Sequence, residues 1–275
     1  MKVALLSGGV GGARFACGLV SAVDPGDVTV IGNVGDDLDV LGLAVSPDLD
    51  SILYALAGLN DEERGWGRAG ETWEALGTVT ALGGEDWFRL GDRDLGLHLV
   101  RSQALRAGEP LSAVTMRLAQ ALGVEAAILP ATDDRLRTWI DTPAGSFPFQ
   151  EWFVARGHRD EVDGVRFVGD AEPAPGVLEA LAGADAIVIA PSNPYVSIWP
   201  ILAVEKIREA LGDGLPEAPG PADDRDSQAA APNTVSASRR DASRSVISVC
   251  VTIRRTAREP AGSDSSTTSA SMRPV

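Results

Sequence analysis

Apolar residues fall in short, nearly unbroken runs over the first 211 positions, and clusters of turn residues end each run. Residues 3–6 stop at Ser7-Gly8-Gly9, residues 29–31 at Asn33-Val34-Gly35-Asp36-Asp37, and residues 186–190 at Pro191-Ser192-Asn193-Pro194. Runs of that length bounded by turn residues predict buried strands, and residues 126–129 and 165–168 predict two more. Helical spacing predicts helices over 15–23, 71–82, 94–106, 111–122, 177–181 and 198–211. A further helix carries Ile52, Leu53 and Leu56, with Ser46 or Asp48 as N-cap and Pro47 in its first turn. Residues 137–141 and 149–154 predict an antiparallel pair around Pro143-Ala144-Gly145. Strands alternating with helices in this order predict an α/β fold: a doubly wound, mostly parallel Rossmann-like sheet with a small antiparallel hairpin excursion. Its ligands should lie outside the carboxyl ends of the strands.

Charge changes that picture in one respect. The 275 residues carry a formal charge of -15, which argues against binding nucleic acid or an anionic membrane surface, so any phosphorylated ligand must be held locally. The imbalance belongs to residues 1–211. From 212 to 275 eight arginines balance eight acidic residues, Phe, Trp and Tyr are absent, and half of the residues are Ala, Ser, Thr or Pro. Such a mixture has too few large apolar side chains to offset the entropy of ordering a core. The expectation is one folded domain over 1–211 and a low-complexity tail over 212–275. Two cysteines, Cys17 and Cys250, form no disulfide framework, and the apolar run at the start is too short for a signal peptide, so a cytoplasmic setting is expected.

The candidate chemistry lies at the predicted strand ends. Gly8, Gly9, Gly11 and Gly12 sit between a strand and a helix, where backbone N–H groups can approach a phosphate and the helix amino terminus favours negative charge. The segment lacks the Lys of a Walker loop, and Arg14 occupies the third glycine of a dinucleotide fingerprint. A tight, unliganded turn is the alternative, but four glycines in five positions favour phosphate binding. Asp36, Asp37, Asp48 and Asp50 form an acidic set that would repel a phosphate unless a cation intervened, and Mg²⁺ held by one or two carboxylates and substrate phosphates is the usual solution. Taken singly, each could as well cap a helix or fill a solvated turn. Arg89, Arg93 and Arg101 are candidate partners for anionic groups, although pairing with Asp92 or Asp94 on a solvated helix face is the default for Arg101. His98 reads as a packed core histidine, and Ser192 and Asn193 offer compact hydrogen-bonding groups where a nucleotide would lie.

Taken in chain order, Gly8 to Arg14, Asn33 to Asp37, Ser46 to Asp50, Leu90 to Asp94, Phe149-Gln150-Glu151-Trp152 and Pro191 to Pro194 resemble the 2-phospho-L-lactate transferase (CofD) family, in particular its actinobacterial, phosphoenolpyruvate-type members. The resemblance implies a transferase of coenzyme F420 biosynthesis. Such an enzyme moves a phospholactyl or phosphoenolpyruvyl group from a lactyl- or enolpyruvyl-diphosphoguanosine donor to the ribityl hydroxyl of Fo (7,8-didemethyl-8-hydroxy-5-deazariboflavin), releasing GMP. By the same resemblance Asp50 and Arg89 bind Fo, Asp36, Asp37 and Asp50 hold Mg²⁺, and Gly8, Gly9, Gly11, Gly12, Ser192 and Asn193 face the guanosine diphosphate moiety. Asp50 is the candidate base because it could serve both metal and nucleophile. The family also suggests a homodimer.

The resemblance stops near residue 211, where family members continue with another strand, a loop rich in glycine and lysine, and further elements. A shifted reading frame would account for the change, and the chain would then be an inactive, truncated transferase. Two other readings compete. A nucleotide-sugar-binding regulator of the gluconeogenesis-factor type would share the glycine segment, and an NAD-dependent oxidoreductase would share the strand, glycine turn and helix.

Overall fold

A computed structural model describes residues 1–212; the expected tail beyond them lies outside the described residues. The apolar runs become four parallel strands, β1 (Val3–Ser7), β2 (Val28–Gly32), β5 (Ala127–Pro130) and β9 (Ala186–Ile189), in the order β5-β2-β1-β9. Val3 lies opposite both Val28 and Ala186, and Thr29 lies opposite Ala127. Alternate side chains point to opposite faces of a strand. Leu5, Val30 and Ile128 accordingly pack under α1 (Gly9–Ala22), α2 (Pro47–Leu56) and α5 (Leu111–Ala121). Leu6, Ile31 and Ile187 face α6 (Val177–Gly183), α7 (Trp199–Leu202) and α8 (Glu205–Leu211). With both faces covered, the strands read as continuous apolar runs.

Between these elements lie a hairpin of β3 (Leu38–Val40) and β4 (Leu43–Val45), the helices α3 (Glu74–Ala81) and α4 (Asp92–Arg106), and a three-stranded antiparallel sheet. That sheet joins β7 (Gly145–Pro148), β6 (Arg137–Thr142) and β8 (Gly164–Val168). The hairpin at β3–β4 escaped the periodicity because each strand has three residues; its turn is made by Leu41 and Gly42, both at positive φ.

Four expectations are corrected here. The partner of β6 is residues 145–148, not 149–154, because a two-residue turn puts Thr142 directly opposite Gly145 and Pro148 has no N–H to extend the ladder. Residues Glu151–Ala155 instead form a π-helical turn. The second is β8, which pairs antiparallel with β6 and so belongs to the excursion, not to the parallel sheet. The third is the helix expected over 198–211, which is broken into a π-helical turn (Pro194–Ile198), α7 and α8. The glycine segment is not a loop either: α1 begins at Gly9, so the glycines form its first turns. Among the described residues no helix is long and apolar enough to cross a membrane.

The carboxyl ends of β1, β2 and β9 carry the glycine segment, the turn Asn33 to Asp37 and the turn Pro191 to Asn193, which brings three of the sequence's candidate segments to one edge of the sheet.

Candidate active site

The glycines are explained first by close packing. A Cβ on Gly8 would lie 2.5 Å from Asp48 Oδ2, one on Gly11 3.0 Å from the Pro191 carbonyl, and one on Gly12 2.4 Å from Ser7 Oγ and 2.6 Å from Ser192 Oγ. Gly11 and Gly12 let α1 sit against the turn that ends β9, and Gly8 lets it sit against Asp48 and Ser197. Ser192 shares in the same packing: its Oγ donates to the Gly8 carbonyl at 2.8 Å and accepts from the Gly8 N–H at 3.4 Å. Gly9, at φ +63°, faces an open cavity. Asn193 also lines that cavity, with its side-chain oxygen accepting from the Tyr195 and Val196 N–H groups to cap the following turn.

The cavity encloses about 640 Å³. Trp66, Trp87, Phe88, Phe149 and Phe153 contribute apolar lining, and Asp36, Asp48, Asp50, Asp94 and His98 contribute polar lining. Phe149 and Phe153 stack at 5.4 Å between ring centroids, and His158 stacks on Phe153 at 5.2 Å. Arg89 also lines the cavity, its guanidinium 4.7 Å from the ring centre of Trp73.

Asn33 organises the carboxylates. Its Nδ2 donates to Asp48 Oδ2 at 2.9 Å, to Asp36 Oδ1 at 3.2 Å and to the Val196 carbonyl at 3.1 Å, while its Oδ1 accepts from the Gly35 N–H at 2.7 Å. Gln150 Nε2 donates to Asp36 Oδ2 at 2.9 Å. Burial, together with the charges of Asp48 and Asp37, pushes the Asp36 carboxyl well above its ordinary range. Burial pushes Asp48 up to about 6, with Asn33 and the Gly9 N–H pulling the other way. Asp37 is pushed up to about 7, again by burial, against the attraction of Arg137 and a 2.8 Å bond from Ser46 Oγ.

Asp50 has a different partner. Arg101 reaches it from α4 with both arms of its guanidinium, Nη1 donating to Oδ2 at 3.0 Å and Nη2 to Oδ1. Arg101 is 0% exposed, so the solvated helix face expected for it is corrected: it is a buried partner of Asp50. His98 lies beside this pair, Nδ1 3.8 Å from Asp50 Oδ2 and Nε2 3.8 Å from Asp94 Oδ1. Burial pushes its imidazole down to about 4, so it is neutral at neutral pH. The Tyr54 hydroxyl donates to Asp94, whose own carboxyl burial pushes up to about 6.

Gly9, Asp36, Asp50, Arg89 and Asn193 therefore line one cavity, whereas Gly8, Gly11, Gly12, Asp37 and Ser192 do not line it. Asp36, Asp37 and Asp50 do not converge: Asp37 turns to Ser46, Asp50 is held by Arg101, and among the described residues no three His, Cys, Asp or Glu side chains form a group able to hold a metal. Asp36 and Asp48 do meet, through Asn33, as two desolvated carboxylates on the cavity lining, and among the described residues no arginine or lysine is hydrogen-bonded to either. That donor set fits Mg²⁺, which takes one or two carboxylates and completes its shell with water and ligand phosphates.

Residues 3–215 match the family of the 2-phospho-L-lactate transferase CofD. The chain belongs to that family. A phosphoenolpyruvate transferase from Streptomyces griseus is 48% identical over 224 residues, covering 78% of this chain and 70% of the relative. One from Nocardia farcinica is 46% identical over 220 residues, covering 76% and 66%. A solved Bacillus halodurans protein of the UPF0052 family superimposes with a TM-score of 0.52 at 22% identity, over 76% of this chain and 64% of that one; it bears on the fold alone. This CofD-family chain thus spans about two thirds of the length of the proteins it matches. Sequence reasoning about it missed Asn33, Gln150, Tyr54 and Asp94 as site residues, and it put Arg101, a candidate for anionic groups, on a solvated face. Asn33, Asp94 and Gln150 stood in the motifs Asn33 to Asp37, Leu90 to Asp94 and Phe149-Gln150-Glu151-Trp152, which resemble the CofD family, whereas Tyr54 stood in none.

Proposed function

We propose that this CofD-family chain is a Mg²⁺-dependent transferase of coenzyme F420 biosynthesis, moving a phosphoenolpyruvyl or phospholactyl group from a guanosine diphosphate-linked donor to the ribityl hydroxyl of Fo and releasing GMP. One observation carries the reading: a cavity of about 640 Å³ lined both by the aromatic side chains of Trp66, Trp87, Phe149 and Phe153 and by the carboxylates of Asp36, Asp48, Asp50 and Asp94, with Gly9 at the start of α1 also on its lining. A flat tricyclic acceptor suits the aromatic side chains. A polyphosphate suits the end with Gly9 only if its charge is balanced, and Asp36 and Asp48 are the residues that would hold Mg²⁺ there. Bound Mg²⁺ would neutralise charge on the transferring phosphoryl group.

The chain's own residues supply the rest. Arg89 would orient the Fo ring system at the aromatic side chains, and Asn193 would meet the donor. Asp50 would accept the proton of the ribityl hydroxyl as its oxygen forms a bond to the phosphorus carrying the enolpyruvyl or lactyl group. The bond from that phosphorus to the GMP oxygen breaks, and GMP leaves. Positioning and charge complementarity account for most of the acceleration in transfers of this type. Full-length protein incubated with Fo, Mg²⁺ and each donor in turn tests the reading. GMP and a phosphodiester product of Fo, read by mass, are expected with one donor; their absence with both would reject it.

A further inference from the structure

We propose that Arg101 is a positioning residue for transfer, fixing the Asp50 carboxylate in the orientation that receives the acceptor's proton; this rests on the function proposed above. The buried side of α4 is unusual. Asp94, His98 and Arg101, at spacings that share one helix face, are all buried, while Leu99 and Val100 are 57% and 46% exposed. A buried charge pair is weak evidence for stability, since apolar residues of similar volume are often as good or better. Here the largest fully buried side chain of the described residues is an arginine whose Nε finds no partner. Packing alone therefore does not account for it.

Geometry does. The two arms of Arg101 engage both Asp50 oxygens from the protein side, leaving the cavity side of the carboxylate for a ligand. A planar fork sets the plane of the carboxylate as well as its position, which a lysine ammonium cannot do. His98, neutral and wedged between Asp50 and Asp94, closes the other flank. The sequence placed Arg101 in solvent, so neither motif nor spacing led to this role.

Arg101→Lys keeps the charge and loses the fork. The full-length variant should melt close to the parent and bind Fo, by calorimetry, within about threefold, while kcat falls about 100-fold with KM little changed, because a misplaced reacting group costs that much. Arg101→Met leaves Asp50 unpaired and should both melt lower and lose kcat per folded molecule. A lysine variant that keeps kcat within about threefold, or loses only KM, overturns the proposal. So does a methionine variant whose loss is only its unfolded fraction. Parent protein that makes no GMP with either donor would sink the functional reading and this role together, whereas an active parent with an equally active lysine variant sinks this role alone.

Discussion

Asp37 offers a test of the electrostatics that needs no substrate. It is half-buried, one oxygen accepting from Ser46 and the other, Oδ1, shut off from solvent and, among the described residues, without a partner. Burial raises its carboxyl from 3.8 to about 7. The folded protein therefore keeps, between those limits, a proton that the unfolded chain has already released, and stability falls as pH rises through that window. At about 1.4 kcal/mol per pH unit, the ionised form costs the folded state about 4 kcal/mol above pH 7. Asp37→Asn keeps the shape, preserves an oxygen for Ser46 and does not titrate. The stability of the variant relative to the parent should therefore grow by about 3 kcal/mol from pH 5 to pH 8, in favour of the variant. Asp48, Asp94 and His98 titrate in both proteins, so their contributions largely cancel in the difference, whereas Asp36, which the Asp37 charge helps to raise, is relieved in the variant and adds in the same direction. Urea unfolding at each pH in EDTA measures it. Parallel pH curves for the two proteins, or a difference that shrinks with pH, would refute the reasoning.

Three further outcomes are expected. Gly12→Ala puts a methyl 2.4 Å from Ser7 Oγ and 2.6 Å from Ser192 Oγ; urea unfolding should show a loss of about 1–3 kcal/mol, as for other overpacked sites. Arg89→Ala removes the guanidinium from the Trp73 ring and the cavity wall and should raise KM for Fo about tenfold, or ~1.4 kcal/mol, with the melting temperature unchanged. Asp48→Asn should raise the Mg²⁺ concentration for half-maximal turnover at least about tenfold; an unchanged Mg²⁺ dependence would remove Asp48 from the cation site.

The sheet was legible because its strands are buried on both faces, so 3–6, 29–31 and 186–190 stand out as apolar runs whatever their neighbours. The ends of those runs also located the site, since ligands of open α/β sheets collect at the carboxyl ends of strands. What lay beyond local reach was which face of each helix is covered. In α4 the apolar residues Leu95, Leu97, Leu99, Val100 and Leu105 follow no single stripe, and Leu99 and Val100 turn outward. Asp92 and Asp94 then offered Arg101 nearby partners, whereas its actual partner is 51 positions away. Asn33 is similar: its contact with the Val196 carbonyl spans 163 positions, and nothing in the turn Asn33 to Asp37 distinguishes an organising side chain from a turn-former. The glycines were ambiguous in the opposite sense, because a requirement for close packing and a requirement for phosphate approach select the same residue type.

Asp48 and Asp50 show how one helix divides its labour. Residues two apart on a helix project about 200° from each other and do not face one another. Asp48 accordingly turns to Asn33 and the Gly9 N–H, and Asp50 turns to Arg101. The residue between them, Leu49, is fully buried with Ile52 and Leu53 against the sheet, which fixes the rotation of the helix. Its height is fixed by Gly32 at the end of β2, where a Cβ would fall 2.5 Å from Leu49 Cδ2. A core that sets both rotation and height leaves neither carboxylate free to exchange roles. Within the proposed function, the sequence expectation that Asp50 would serve both metal and nucleophile separates into two roles: Asp48 and Asp36, joined by Asn33, would hold the cation, and Asp50 would meet the acceptor hydroxyl. Impaired Mg²⁺ dependence in Asp48→Asn beside impaired kcat at constant Mg²⁺ affinity in Arg101→Lys is the pattern this division requires. If either substitution disturbed both quantities equally, the two carboxylates would be acting as one group.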